Sequence, residues 1–332
     1  MNLHFSIVVP VYNRPQEVLE LLESLRAQCY EQPYEIVIVE DGSTETSEEV
    51  MKAFTDLNIS YYFKENSGPG ASRNYGMQRA KGNYYLILDS DCVLPEDYLS
   101  SVENALTARY TDFFGGPDAA HEDFTTLQKA INYAMTSFLT TGGIRGRKKT
   151  STNFEPRSFN MGISKEAFEA SKGFGNIHPG EDPDLSIRLW QMGYTSQLIP
   201  EAYVFHKRRI SWSKFYMQVK KFGAVRPILT RWHPQTARLT FWFPSFFTLG
   251  LVVVAVSALF GFFLPSYFLF VYLGTIALDS SFQNKSLIIG LLSVWAVLVQ
   301  FVGYGVAFIK SKLMIGWFKK DPRLQYPHLF FK

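Results

Sequence analysis

The sequence predicts a mostly parallel α/β domain followed by a helical membrane region, and three observations carry that reading. Short apolar runs alternate with helix-spaced segments through the first third of the chain. Each run ends on polar or acidic residues, as strands of a doubly wound sheet do where they deliver ligand-binding groups at their carboxyl ends. The last third holds two long stretches without a single charge, which few soluble domains contain.

Phe5 to Val11 is a continuous β-branched run closed by Asn13-Arg14-Pro15, which predicts the first strand. Asn13 is expected to cap a helix in which Val18, Leu21, Leu22 and Leu25 recur at i, i+3, i+4 and i+7. Glu35 to Val39 forms a second strand ending at Glu40-Asp41-Gly42-Ser43, and after another helix-like stretch Ile59 to Phe63 forms a third. Gly68-Pro69-Gly70 introduces a short helix over Ala71 to Ala80, and the run Tyr84 to Leu88 leads to Asp89-Ser90-Asp91. Such alternation implies a Rossmann-like sheet. Residues 112 to 160 give a weaker pattern, with the basic run Arg145-Gly146-Arg147-Lys148-Lys149 in a polar stretch that reads as a loop.

Composition excludes some classes. Lys and Arg exceed Asp and Glu by 33 − 30 = 3, too small a surplus to call for nucleic acid as a partner. Cys29 and Cys92 form neither a disulfide framework nor a metal-type CxxC and suit a reducing compartment. Met1 to Tyr12 lacks a basic region and cleavage site, so it reads as a strand rather than a signal peptide. Phe241 to Phe263 is uncharged and as a helix would span about 34 Å, enough for the bilayer core. Ser286 to Ile309 is a second such stretch, and Ser266 to Leu278 between them is apolar but short, which suits a re-entrant or interfacial segment or part of a third span. Basic residues precede the first span (Lys207 to Arg231) and follow the last (Lys310 to Arg323). Both flanks therefore belong in the cytoplasm, which requires an even number of crossings. The expectation is a catalytic domain over 1–235 and a membrane region over 236–332 with two spans, a multi-pass protein of the cytoplasmic membrane with its catalytic domain inside.

The chemistry lies at the strand ends. Asp89-Ser90-Asp91 brings two carboxylates, one residue apart, to the end of a buried strand, where hard oxygen ligands suit magnesium or manganese against a diphosphate. Pro10, Val11 and Tyr12 close the first strand and form a slot for a flat base. Asp41 offers a carboxylate to a base imide N–H, although Asp-Gly-Ser is also an ordinary turn. Gly68 to Asn74 places Arg73 near a helix N-terminus, a natural seat for phosphate. Glu181 and Asp182 stand at a second helix start marked by Leu185, Leu189 and Met192. Carboxylates there are common caps, yet Asp182 is also placed to take a proton from an attacking hydroxyl. His206, after the run Ala202 to Phe205, is a candidate third ligand beside Asp91.

Together these segments resemble the inverting family 2 glycosyltransferases of the GT-A fold, over about residues 4 to 230. The opening strand motif appears as Ser6 to Asn13, the base-contacting acidic turn as Val39 to Ser43 with Asp41 at the contacting position, the Arg-Asn pair as Arg73-Asn74, and the DxD as Asp89-Ser90-Asp91. The resemblance implies donor contacts from Asp89 and Ser90, metal contacts from Asp91 and His206, and a general base at Asp182. Asn160-Met161-Gly162 resembles the segment lining the sugar and acceptor pocket, to which Glu181 also belongs. Polymer-making members usually carry Q-x-x-R-W on an interfacial helix. Here Gln218-Val219-Lys220-Lys221-Phe222 keeps the Gln but has Lys221 where they have Arg, without the planar fork, which argues against processive polymerisation. The resemblance thus implies a Mg2+- or Mn2+-dependent transfer from a nucleotide sugar, a UDP-sugar if Asp41 meets a uracil imide, to a lipid-linked or cell-envelope glycan. A processive synthase, a polyprenyl-phosphate transferase and a non-catalytic nucleotide-binding scaffold are the alternatives.

Overall fold

The computed structural model describes residues 2–119, 124–141, 154–206 and 211–331. They divide into two compact units, one of 2–119, 154–206 and 330–331, the other of 124–141 and 211–329. The division differs from the expected boundary at 235. Helix Trp212–Trp232 groups with the apolar helices because Phe215 and Val219 share a buried core with Val297 and Phe301. The basic run 145–149 and Lys207 to Arg209 lie outside the described residues.

The first unit contains ten strands: β1 (Phe5–Val11), β2 (Glu35–Asp41), β3 (Ile59–Lys64), β4 (Tyr84–Leu88), β5 (Cys92–Val93), β6 (Phe113–Gly115), β7 (Asp118–Ala119), β8 (Asn160–Ser164), β9 (Ser196–Leu198) and β10 (Val204–His206). Seven of them form a sheet in the order β3-β2-β1-β4-β8-β6-β9. The first four run parallel, and β8 is antiparallel to both β4 and β6. The continuous apolar runs are explained by burial on both faces. Along β1, β2 and β4 the side chains alternate between two cores. Ile7, Val9, Ile36, Ile38 and Leu86 pack with Val18, Leu22 and Val102 of the helices on one face. Val8, Val37, Val39, Tyr85 and Ile87 pack with Met77, Leu185 and Leu189 on the other. A small sheet, β5-β10-β7, stands beside the β4 end.

Two boundaries differ from the sequence reading. The first helix, Pro15–Arg26, begins at its proline and has no side-chain cap. Asn13 instead takes φ 54° and serves the loop after β2. The helix expected from Ala71 starts at Pro69 and runs to Met77.

In the second unit the helices are Thr126–Thr136, Phe138–Thr141, Trp212–Trp232, Phe243–Leu259, Leu264–Asn284 and Leu287–Ser311, with a short one over Pro322–Gln325. Among the described residues, two helices are long and apolar enough to cross a membrane, Leu239–Leu259 and Leu287–Trp317. The apolar stretch Ser266 to Leu278 between them lies within a 21-residue helix, Leu264–Asn284. Its polar end is held by side-chain bonds that hydropathy does not register, Ser280 to Ser293 at 2.7 Å and Asp279 accepting from the Tyr133 hydroxyl at 2.6 Å.

Candidate active site

The ends of β1, β2 and β4 and the start of the Glu181–Gln191 helix supply the expected side chains, and Arg73 draws several of them together. Arg73 is buried on the Pro69–Met77 helix. Its Nη2 donates to Asp89 Oδ1 at 2.8 Å, its Nη1 stands 3.6 Å from Glu181 Oε1, and its guanidinium lies 5.5 Å from the Phe174 ring centre. Burial opposes its charge, but Asp89, Asp182 and Glu181 together raise its pKa above the ordinary value. Its Nε and Nη1 nonetheless have no hydrogen-bond partner. Buried donors left unpaired cost about 1–3 kcal/mol each, more on a charged group, so such a pair invites an anion.

Glu181 and Asp182 enter at the first turn of their helix with opposite electrostatics. Burial disfavours the Glu181 charge, but His178, 2.7 Å away through Nδ1, and Arg73 hold its pKa below the usual carboxylate value. Asp182 is pushed up to about 6, first by burial and then by the Glu181 charge. The residue keeps some exposure, but Oδ1 is buried without a partner, while Oδ2 accepts from the Ser158 amide at 3.2 Å. A carboxylate with one unsatisfied oxygen and a pKa near neutrality is equipped to receive a proton.

The strand ends are pinned by residues that sequence reasoning assigned differently or passed over. Asn13 Oδ1 accepts from the Thr44 amide at 2.8 Å and the Glu45 amide at 3.0 Å, and the Asn13 amide donates to Ser43 Oγ at 2.8 Å, tying the β1 and β2 ends together. Tyr12 is exposed there, Pro10 is half-buried, and the Val11 side chain belongs to the core, so Val11 offers only its backbone. Asp41 does not stand open toward a base as expected. Its oxygens accept from the Ser67 and Gly68 amides at 2.9 and 3.0 Å, and it pairs with Lys64. The carboxylate therefore holds the glycine turn. The neighbouring Glu40 is fully buried and accepts from the Ser47 amide at 3.0 Å, which closes the loop after β2.

Asn160 and Gly162, expected in the sugar and acceptor pocket, are buried in β8. Asn160 is fully buried, donates to the Ala202 carbonyl and accepts from the Tyr98 hydroxyl, so its amide ties β8 to its neighbours. A Cβ at Gly162 would run into the Phe114 ring, so glycine is there for packing. Ser90 is buried. Gln218 and Lys221 lie on helix Trp212–Trp232 in the other unit, Gln218 exposed and Lys221 half-buried.

Asp91 pairs with Arg14, and Asp89 with Arg73. The β5–β10 register sets His206 across from Cys92, next in sequence to Asp91, while the imidazole lies outside the described side chains. Among the described residues no three His, Cys, Asp or Glu side chains gather into a ready-made metal site. Carboxylate oxygens with one imidazole nitrogen are nevertheless a donor set that fits magnesium or manganese.

Lys64, His178 and Phe331 are the residues the sequence reading missed. His178 stands three positions before Glu181, a spacing that pairs side chains at a helix start. Phe331 gives no local signal. The backbone around it bridges Ile177 to Phe330, its ring lies 5.9 Å from that of His178, and a Cβ added at Gly68 would overlap it.

Comparison with known proteins bears on the family and the fold. The profile of "Glycosyl transferase family 2" matches residues 6–171, half of the chain. The chain is 35% identical over 113 residues to the glycosyltransferase GlyA of Streptococcus pneumoniae, 33% of this chain and 16% of GlyA. It is 36% identical over 115 residues to GlyG of the same organism, 34% of this chain and 38% of GlyG. It therefore spans well under half the length of these relatives. Among solved structures, the mannosyltransferase PcManGT of Pyrobaculum calidifontis, in complex with GDP-Man and Mn2+, superposes with a TM-score of 0.66 at 15% identity, over 96% of this chain and 89% of that one. Staphylococcus aureus TarS with UDP-GlcNAc does so at 0.50 and 17%, over 94% and 92%. At these identities the likeness establishes the shared fold.

Proposed function

We propose that this chain, which belongs to glycosyl transferase family 2, moves a sugar from a nucleotide-activated donor to an acceptor hydroxyl with inversion at the anomeric carbon. The observation that carries the reading is Arg73: a buried guanidinium bonded to Asp89, whose Nε and Nη1 make no hydrogen bond and whose charge is supported by Asp182 and Glu181. Those donors suit the diphosphate of the donor. Asp182 takes the hydroxyl proton as the acceptor oxygen bonds to the anomeric carbon, and the bond from that carbon to the diphosphate oxygen breaks with its electron pair on the oxygen. Arg73 then faces negative charge that grows in the transition state, where fixed positive charge accelerates most. Asp91 with Asp89 and His206 would hold magnesium or manganese, which supplies further positive charge to the leaving diphosphate.

For the donor, the neighbours' GDP-Man and UDP-GlcNAc complexes support a nucleoside diphosphate sugar, and with Asp41 engaged in the glycine turn the choice between uridine and guanosine is left to the titration with both. For the acceptor, likeness to the poly(ribitol-phosphate) β-N-acetylglucosaminyltransferase TarS, 29% identical over 114 residues, supports a glycan of the cell envelope. That it is lipid-linked and met at the cytoplasmic face of the inner membrane is our reading from the apolar helices alone. Membrane residence draws support from side chains such as Val252, Phe260, Phe268 and Phe270, which leave large apolar surfaces exposed on the helices of the second unit.

Asp182→Asn tests the base directly. The variant should lose about 10²- to 10⁴-fold in transfer rate while binding the nucleotide as before. Transfer at the wild-type rate would refute the assignment.

A further inference from the structure

The second unit holds a cationic cavity of about 270 Å³ whose lining shares no residue with the proposed site of sugar transfer. Arg231, Lys312 and Lys319 line it, with Pro227 and Ile315 as apolar walls and Thr230 at its edge, and no acidic residue shares the lining. It forms where the second apolar helix ends: Leu287–Ser311 passes directly into a π-helical turn, Lys312–Trp317, which contributes Lys312 and Ile315. Widened turns of this kind are rare and collect at functional sites. Arg231 is held in place through Nη1, which donates to the Lys320 carbonyl at 2.9 Å. Its position is therefore set before any ligand arrives, which lowers the cost of binding.

Three cations without a carboxylate among them call for an anion of more than one negative charge. The fork of Arg231 and the point charges of Lys312 and Lys319 suit phosphate oxygens. The cavity falls below the roughly 300–1,000 Å³ that encloses a whole drug-sized ligand, so it is scaled to a headgroup. Its place at the end of a candidate span, beside the strongly exposed Trp317 and Phe318, fits a headgroup at the bilayer surface, where aromatic side chains and basic residues gather. We infer that the cavity bounded by Arg231, Lys312 and Lys319 binds the phosphate or diphosphate headgroup of a lipid. The inference rests on the membrane reading above but not on the sugar-transfer reaction.

The test uses the full chain in detergent, with lipid retention measured by native mass spectrometry. The probes are phosphatidylglycerol, a short-chain isoprenyl diphosphate, phosphatidylcholine and inorganic pyrophosphate. Wild type should retain the two anionic lipids at least tenfold more than phosphatidylcholine, and pyrophosphate should compete with them. Whichever anionic lipid is retained more strongly identifies the source of the headgroup. Lys312→Gln with Lys319→Gln should remove at least tenfold of that preference, while Lys52→Gln with Lys214→Gln, equal in charge change, should alter it less than twofold. If the first pair fails to fold, Thr230→Leu, which narrows the cavity and keeps every cation, should give the same loss. Equal retention of phosphatidylcholine, or a preference untouched by either cavity variant, would overturn the inference. Sugar transfer assayed alongside separates the two claims, because a lost lipid site with intact transfer leaves the enzyme reading standing.

Discussion

At Asp182, burial and the Glu181 carboxylate push the pKa up to about 6, so the folded chain binds that proton more tightly than the unfolded chain, where the ordinary value is 3.8. Two consequences follow in opposite directions of pH. A base must be ionised to act, so the logarithm of the transfer rate should rise with unit slope below about pH 6 and level off above it. Stability runs the other way: this group's contribution is full below its unfolded value and is lost as pH rises through about 6. Above pH 7 the charged form is therefore a burden, which Asp182→Asn relieves. With partial exposure taken into account, the variant should gain roughly 1–2 kcal/mol in thermal denaturation at pH 8, a pKa unit being about 1.4 kcal/mol. A destabilised variant with a flat pH profile would mean that the carboxylate is structural. Glu181 differs only by its neighbours, since His178 and Arg73 keep it ionised one residue away.

Among the elements, the glycine turn ahead of the Pro69–Met77 helix is the most exacting. Gly68 sits at φ 90°, its amide donates to Asp41, and Phe331 fills the space a Cβ would need. Gly68→Ala should cost about 1–3 kcal/mol in unfolding free energy and weaken nucleotide binding. Adding Phe331→Ala should recover part of the loss, because it removes the overlap but not the backbone strain. If Gly68→Ala matches wild type, the turn does not set the site.

The same elements show what could be read in the residues. The strands β1, β2 and β4 were legible because both faces are buried, so their runs are unbroken. Asp89 at a strand end and Asp182 at a helix start stand where the sequence put them, and their roles are those proposed above. Asn13 was misassigned because a side chain that can cap a helix can equally clamp a loop, and its partners Thr44 and Glu45 lie about thirty residues on. Asn160 was misassigned because burial comes from packing against Tyr98 and Ala202, which no local pattern reveals. The length of the Leu264–Asn284 helix was hidden for a similar reason, as Asp279 finds Tyr133 146 positions away.

On the scale of the whole chain, a sheet that gathers carboxylates at its strand ends is joined to helices whose outward surfaces are apolar. The full chain should accordingly sediment with membranes and resist extraction by salt and alkali, requiring detergent for release. Recovery in the soluble fraction would remove the support for a lipid-linked acceptor while leaving the family intact. The central claim is that one pocket, built from the ends of β1, β2 and β4 and organised by Arg73, holds a metal-bound nucleotide sugar. Calorimetric titration of the detergent-solubilised chain with UDP- and GDP-sugars, with and without manganese, tests it most directly. The account predicts binding of at least one donor that requires the metal and weakens at least tenfold in both Arg73→Met and Asp91→Asn. Binding that ignores manganese and survives both substitutions would contradict it.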